Sequence, residues 1–279
     1  MKEAFSDCMN YDNKKKRLIY QVSIGSSKLY DFCIASVVNY CKKWNIEHRV
    51  QREQILCICP DPKTTNRSHA AWNKPGLKPG LIIFEKENAF DLLDEYDQIA
   101  IIDSDIYIRE SAPNIFEDLT NEYAFGAVFE REMPITEQYR KKILAYSRGQ
   151  YGNLKDVDWR WHPNTGAEFA NMGVMILNRA FKEFLNGQTA KEFLMRKEFK
   201  KFIDGDGNWK WSTDQSLINY VLKKHNVPTK HLDWRWNALY RGIEDKHLKD
   251  AQFIHFFLKD HLPNKGEDTA MLKKIIDKS

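Results

Sequence analysis

Residues 96–110, with the sequence YDQIAIIDSDIYIRE, constrain the fold more than any other part of the chain. The apolar run at 99–102 is typical of a strand that is buried on both faces. This run ends on Asp103 and Asp105, and a charged group is costly to bury unless it is paired. A fold that accepts this segment must therefore offer both carboxylates a partner at the end of a buried strand.

Segments with strand-like and helix-like patterns alternate along the rest of the chain. The predicted strands are 17–25, 53–60, 97–108, 123–130, 171–178, 230–240 and 251–257. The predicted helices are 30–44, 87–96, 138–146, 179–202, 214–226 and 268–279. This alternation, with near-continuous apolar strands, predicts an α/β fold in which helices flank a mostly parallel central sheet. No low-complexity linker divides the chain, so we expect a single domain over 1–279, with a lead-in at 1–16 and a C-terminal segment at 258–279.

The composition argues against several kinds of function. The net charge of +4 comes from 43 basic and 39 acidic residues, which is too balanced for a protein whose main ligand is nucleic acid. The N-terminal residues MKEAFSDCMN lack the apolar region of a signal peptide, and no window predicts a membrane span. Cys57 and Cys59 are predicted to share one face of a strand, but no Cys/His cluster with zinc spacing accompanies them. We therefore expect a soluble, cytoplasmic protein with reduced thiols.

The two aspartates lie where an α/β sheet binds its ligands, outside the carboxyl ends of the strands. Asp103 and Asp105 are two residues apart, so their side chains leave an extended backbone on the same side. Two converging carboxylates suit a hard divalent cation, and such a cation can bind phosphate oxygens in turn. Surface carboxylates at a turn give the same short pattern, so the pair alone leaves both interpretations open.

Four motifs in order resemble one family of enzymes. They are YDQIAIIDSDIYI at 96–108, FANMGVMILN at 169–178, STDQSLIN at 212–219 and FIHFF at 253–257. In these motifs the chain is similar to the GT-A glycosyltransferases, and the retaining, glycogenin-like family 8 is the nearest group. The resemblance implies a Rossmann-like GT-A fold and a nucleotide-sugar donor, with a UDP-sugar as the expected one. It also implies a glycan or another hydroxyl compound as the acceptor, and transfer with retention.

Carried over position by position, the resemblance implies three groups of site residues. The residues that would bind Mn²⁺ or Mg²⁺ are Asp103, Asp105 and His255. The residues that would contact the nucleotide part of the donor are Ile24, Gly25, Ser26, Lys86, Ser104 and Lys259. The catalytic residues around the donor sugar would be Asn171, Asp214 and Gln215. The segment HFFLKDHLPNKG departs from the family pattern, because no Gly follows the His-Phe pair and no Lys-Pro pair is present, so Lys259 or Lys265 would meet the diphosphate.

Other interpretations of the same residues stay open. His255 lies among aromatic residues, where a buried core histidine is common, and Lys86 has the sequence context of an ordinary exposed lysine. Asp214 is also a plausible helix N-cap, and Asn171 a plausible strand cap. Each of these residues therefore has a structural interpretation beside its functional one.

Aromatic residues are the candidates for the acceptor side. Trp159, Trp161 and His162 are of the types that stack on sugar rings. Trp236 with Asn237 resembles an aromatic–Asn pair of the same family. Tryptophans also fill protein cores, and that is the more common role for any single one.

Three further alternatives concern the reaction itself. Inversion, instead of retention, would require a carboxylate base, for which Glu168, Asp214 and Asp233 are candidates. A non-catalytic GT-A scaffold would bind nucleotide or glycan without turnover. Phosphatases of the haloacid dehalogenase type also carry Asp-x-Asp at a strand end, but usually on the first strand and with Thr or Val at the position of Tyr107.

Overall fold

The computed structural model describes residues 15–279, so residues 1–14 of the expected lead-in lie outside the described residues. Its strands are β1 (Arg17–Val22), β2 (Glu47–Gln51), β3 (Gln98–Ile102), β4 (Ile106–Ile108), β5 (Phe125–Phe129), β6 (Ala170–Asn178), β7 (Thr229–His231), β8 (Ala238–Leu239) and β9 (Phe253–His255). Its α-helices are α1 (Lys28–Trp44), α2 (His69–Trp72), α3 (Glu137–Tyr151), α4 (Lys182–Leu185), α5 (Ala190–Leu194), α6 (Lys200–Asp204), α7 (Asp214–Lys224) and α8 (Thr269–Lys278). The longest 3₁₀-helical segment is Ile82–Asp94.

The central sheet has six strands in the order β2-β1-β3-β6-β5-β7. Strand β6 pairs antiparallel with both of its neighbours, β3 and β5, while the other pairs are parallel. Five of the six strands therefore run in one direction, which confirms a mostly parallel α/β sheet. A second, three-stranded sheet has the order β4-β9-β8.

The core forms around three strands whose sequences are mostly apolar. Every residue of β3, β5 and β6 is buried, as expected for strands that are covered on both faces. Helix α1 buries one side only, which includes Leu29, Cys33, Val37 and Tyr40. Within residues 15–279, no helix is long and apolar enough to cross a membrane.

The predicted strand at 53–60 is wrong, and the second strand is β2. The backbone N–H groups of Ile55, Leu56 and Cys57 donate to the buried carboxylate of Glu85 at 2.7–3.0 Å. These amides are therefore not available to pair with a neighbouring strand. Cys57 has a φ of 48°, in the left-handed region, so Cys57 and Cys59 do not share a strand face as expected.

Three other predicted elements are interrupted. The expected strand at 97–108 is divided at 103–105 into β3 and β4, which belong to different sheets. The expected helix at 179–202 consists of α4, α5 and the start of α6, and Asn186 (φ 53°) and Gly187 (φ 73°) end its first part. Thr189 then begins α5 with a capping box to Glu192. The expected strand at 230–240 is divided into β7 and β8 by the 3₁₀ turn Trp234–Asn237.

One edge of the central sheet collects polar residues from several elements. The carboxyl ends of β1, β3 and β5 meet there, together with the amino end of the antiparallel strand β6. Strand β9 reaches the same edge because β4 pairs with it, with Ile106 opposite His255. The Phe256 N–H also donates to the Asp105 carbonyl at 2.9 Å.

Candidate active site

A cleft of about 500 Å³ opens at this edge of the sheet, within the size range of small-molecule sites. Eight of the predicted site residues line it, namely Lys86, Asp103, Ser104, Asp105, Asn171, Asp214, Gln215 and His255. They come from both sheets, from the segment Ile82–Asp94 and from the start of α7. The fold therefore brings together residues that are up to 169 positions apart, from Lys86 to His255.

The carboxylates of Asp103 and Asp105 converge with the imidazole of His255. Nε2 of His255 lies 3.3 Å from Oδ1 of Asp105 and 3.9 Å from Oδ2 of Asp103. One ligand atom from each of the three residues lies within 4.8 Å of the other two. Two carboxylate oxygens and one imidazole nitrogen form a donor set that suits Mn²⁺, and the spacing allows all three to reach one ion.

Lys86 connects the metal-binding candidates to the start of α7. Its ammonium group lies 2.8 Å from Oδ1 of Asp103 and 2.9 Å from Oδ2 of Asp214, and it donates to the Met172 carbonyl at 2.7 Å. The Lys86 side chain is only 12% exposed, so this is not the ordinary exposed lysine of the alternative interpretation. Because Lys86 holds one oxygen of Asp103, the other oxygen is directed toward His255.

The charged groups of the cleft shift one another's pKa values. Burial alone would lower the pKa of His255, but the carboxylates of Asp105 and Asp103 outweigh burial and raise it. Burial would raise the pKa of Asp105, yet the neighbouring His255 holds it below its ordinary value. Asp214 has a raised pKa, because burial outweighs the effect of Lys86. The pKa of Lys86 is raised in spite of burial, because Asp103 and Asp214 face it.

Gly173 permits the close approach of the His255 ring. A Cβ atom at position 173 would lie 2.5 Å from Cε1 and 2.6 Å from Nδ1 of His255. The backbone of Gly173 also accepts the Asp103 N–H at 2.8 Å. The same glycine therefore supports two of the three metal-binding candidates, one through its missing side chain and one through its carbonyl.

Of the six predicted nucleotide-side residues, four lie at one rim of the cleft and do not line it, namely Ile24, Gly25, Ser26 and Lys259. Ile24, Gly25 and Ser26 form the loop between β1 and α1, and the lining residues are their neighbours Val22 and Tyr30. Lys259 reaches the same rim, with its Nζ 2.5 Å from the Tyr30 hydroxyl and 3.9 Å from the ring centroid. Ser104 does line the cleft, and its hydroxyl donates to the Val22 carbonyl at 2.6 Å.

Comparisons with known proteins agree with this architecture. No protein-family model matches the sequence, and no curated protein matches it. The structure is similar to that of a glycosyltransferase involved in the glycosylation of the major capsid of PBCV-1, with a TM-score of 0.53 and 14% identity. The similarity covers 91% of this chain and 98% of that chain. The chain has a GT-A fold.

Two further structures are similar to this GT-A chain. One is the galactosyltransferase LgtC in complex with donor and acceptor sugar analogues, with a TM-score of 0.48, 15% identity and coverage of 94% of this chain and 95% of that one. The other is mouse xyloside xylosyltransferase 1, with a TM-score of 0.46, 14% identity and coverage of 89% and 99%.

Sequence reasoning missed the polar side chains behind the lining residues of this GT-A fold. Glu130 is 3% exposed and lies directly after β5. It accepts hydrogen bonds from Asn171 at 2.8 Å, from the Tyr139 hydroxyl at 3.0 Å and from Gln215 at 3.4 Å. A carboxylate directly after a buried strand is the same signal that identified Asp103. The same sequence pattern could therefore have identified Glu130.

The tryptophans divide between the core and the surface. Trp159 is 1% exposed and stacks on Tyr151 at 4.2 Å between ring centroids, and Trp236 is also buried. Trp159 and Trp236 are therefore core residues, which is the more common role of a tryptophan. Trp161 remains 47% exposed, and Trp211, which the sequence analysis did not single out, is 76% exposed.

Proposed function

We propose that the protein is a metal-dependent glycosyltransferase that moves a sugar from a nucleoside-diphosphate sugar to a hydroxyl group of an acceptor. The observation that carries this proposal is the cluster of Asp103, Asp105 and His255 inside the cleft of a GT-A fold. The cluster would hold Mn²⁺ or Mg²⁺, and Mn²⁺ fits better because imidazole is among its ligands. When bound, such an ion supplies a Lewis acid that stabilises the diphosphate leaving group.

The chain's own residues would position the donor around this cluster. Lys86 fixes the carboxylate of Asp103 and, through Asp214, the first turn of α7. Asn171, Asp214 and Gln215 line the cleft beyond the metal-binding candidates, and we assign them to the donor sugar and the reaction centre. Lys259, next to Tyr30 at the rim, would neutralise part of the charge on the diphosphate.

The ion pairs of the three candidate base carboxylates favour a reaction with retention. An inverting enzyme requires a carboxylate that is free to act as a base on the acceptor hydroxyl. Asp214 is paired with Lys86 at 2.9 Å. The two other candidates are engaged elsewhere, since Glu168 is paired with Arg131 and Lys223 and Asp233 with Arg235. Neither Glu168 nor Asp233 is among the described residues that line the cleft.

Trp211 is the aromatic residue that we assign to the acceptor side. It lies two residues before Thr213, which lines the cleft, and most of its side chain faces solvent. An exposed indole beside a catalytic cleft offers an apolar face on which a sugar ring can stack.

The test is an incubation of the protein with a panel of nucleotide sugars, with and without Mn²⁺, in which free nucleoside diphosphate is measured. We expect metal-dependent release from one donor, and loss of that release in Asp103→Asn and in Asp105→Asn. Asp250→Asn, at an exposed position outside the cleft, is the matched control and should retain full release. No release from any donor, together with metal-independent nucleotide binding, would favour the non-catalytic scaffold.

The phosphatase alternative is tested in the same assay. Its Asp-x-Asp pair normally follows the first strand, whereas Asp103 follows β3 here, and the first Asp must be a free nucleophile. Asp103 instead has one oxygen bound to Lys86. Release of inorganic phosphate from a phosphate monoester, lost in Asp103→Asn, would support the phosphatase.

A further inference from the structure

A line of buried side chains connects His255 to the centre of the sheet. Asn237 is fully buried and lies between His255 and Asn171. Its Oδ1 is 3.0 Å from Nδ1 of His255, and its Nδ2 donates to Oδ1 of Asn171 at 2.8 Å. Asn171 in turn accepts the Gly173 N–H at 2.9 Å with the same Oδ1, and its Nδ2 donates to Glu130. Each polar atom of these two side-chain amides therefore has a hydrogen-bond partner.

The direction of these hydrogen bonds follows from one group whose role is fixed. A backbone N–H can only donate, so the Asn171 atom that faces Gly173 is its oxygen. That oxygen accepts the second bond, so the Asn237 atom that faces it is the nitrogen. The other atom of the Asn237 amide, which faces His255, is then its oxygen. An amide oxygen only accepts, so Nδ1 of His255 must carry a proton.

We propose that Asn237 is a positioning residue that keeps the proton of the neutral His255 ring on Nδ1, so that the lone pair of Nε2 faces Asp103 and Asp105. Only an unprotonated ring nitrogen binds a metal ion. In zinc proteins and others, the group bound to the second ring nitrogen selects the nitrogen that remains free. The value of this arrangement for catalysis rests on the metal-dependent function proposed above.

The two carboxylates on their own favour the opposite arrangement. A proton on Nε2 would form a hydrogen bond to Asp105, whose Oδ1 is 3.3 Å away, and would block the metal-binding nitrogen. Asn237 opposes a proton on Nε2. If Nδ1 carried no proton, the side-chain amide of Asn237 would have to turn over, so that its nitrogen faced the ring. The reversed amide would place the oxygens of Asn237 and Asn171 against each other at 2.8 Å, with Asn237 fully buried and Asn171 only 6% exposed.

The proton position can be measured by nitrogen-15 NMR on the metal-free protein labelled at histidine, at a pH high enough to neutralise the ring. The chain has 8 histidines, so His255→Gln identifies the signals of His255. We expect a protonated Nδ1 and a bare Nε2 in the natural protein, and a protonated Nε2 in Asn237→Leu. Asn178→Leu is the matched control, because Asn178 is a buried asparagine at the opposite end of β6, and it should leave the His255 signals unchanged.

Metal binding gives a second readout that does not depend on turnover. Titration with Mn²⁺, followed by electron paramagnetic resonance of the free ion, should show about 10- to 100-fold weaker binding in Asn237→Leu. Where Asn237→Leu does not fold by circular dichroism, Asn237→Ala takes its place, and the measurement on the natural protein needs no variant of Asn237.

The outcomes separate this proposal from the proposed function. A proton on Nε2 in the natural protein would overturn the role of Asn237, and so would a proton that stays on Nδ1 when Asn237 is replaced. A natural protein that binds no Mn²⁺ would count against the metal-dependent function, while the NMR result would still decide the role of Asn237. A proton on Nδ1 in the natural protein and on Nε2 in Asn237→Leu supports the proposal, whether or not the protein binds Mn²⁺.

Discussion

Replacement of Lys86 by Met tests the central ion pairs of the cleft. The substitution keeps most of the aliphatic side chain and removes the ammonium group. That group has three partners in the structure, the carboxylates of Asp103 and Asp214 and the Met172 carbonyl, all at 2.7–2.9 Å. Lys86→Met therefore leaves two carboxylates close together with no cation between them.

The expected change in the free energy of unfolding depends on how deeply Asp103 and Asp214 are buried. Removing one partner of a buried ion pair costs about 3–5 kcal/mol, because the remaining charge stays buried without compensation. The side chain of Asp214 is only 10% exposed, but that of Asp103 is 32% exposed and is partly screened by water. We therefore expect the free energy of unfolding to fall by about 3 kcal/mol, at the lower end of that range.

Urea denaturation followed by tryptophan fluorescence measures this change. Lys274→Met, at an exposed position on α8, is the matched control and should change the free energy of unfolding by less than about 0.5 kcal/mol. The double variant Lys86→Met/Asp214→Asn should be less destabilised than the sum of the two single variants, because Asp214 then carries no charge to compensate. A loss of less than about 1 kcal/mol in Lys86→Met, or strict additivity in the double variant, would refute the reasoning.

Three further predictions follow from other parts of the structure. In Gly173→Ala the new Cβ would lie 2.5 Å from the ring of His255, so the ring must move, and Mn²⁺ affinity measured by titration should fall by about tenfold or more. Burial lowers the pKa of His48 from the ordinary value of about 6.5 to about 4. The folded state therefore binds the His48 proton less tightly than the unfolded state does. Stability is thus lost as the pH falls from about 6.5 to about 4. Because His48 is only half-buried, we expect a loss of about 1–2 kcal/mol in denaturation curves, absent in His48→Gln. Trp211→Ala should raise the KM for the acceptor and leave the KM for the donor unchanged, and equal effects on both would contradict its assignment to the acceptor side.

The sequence predicted correctly the strands that are buried on both faces, because their residues are not compatible with a helix. Four or more consecutive apolar residues, as in β3, β5 and β6, give a helix no polar face to expose and are too short for a buried helix. They form strands that are covered on both sides. This information is local, so it is visible without any knowledge of the neighbours.

The segment at 53–60 shows where local information fails. Its residues ILCIC have the composition of a strand, but three of its amides bind Glu85, about 30 positions later in the chain. A buried carboxylate with several N–H partners is strongly stabilised, and it outweighs strand propensity. The pairing depends on where Ile82–Asp94 packs, which no local pattern indicates.

The direction of β6 was also not predictable from its residues. A strand that is buried on both faces has the same apolar composition whether it runs parallel or antiparallel to its neighbours. Here the antiparallel direction decides which end of β6 reaches the cleft. It places Asn171, near the amino end of the strand, beside residues that follow the carboxyl ends of β3 and β5.

This topology explains which site residues have a sequence signal and which have none. Asp103 and Glu130 directly follow buried strands, so a charge at the end of an apolar run identifies both. Asn237 lies in the 3₁₀ turn Trp234–Asn237 between two short strands, and no apolar pattern leads to it. Its position depends on β9, which brings His255 against it through the pairing with β4 and β8. The carboxylates of the site are thus visible in single segments, whereas the amide that orients the histidine emerges only when both sheets are assembled.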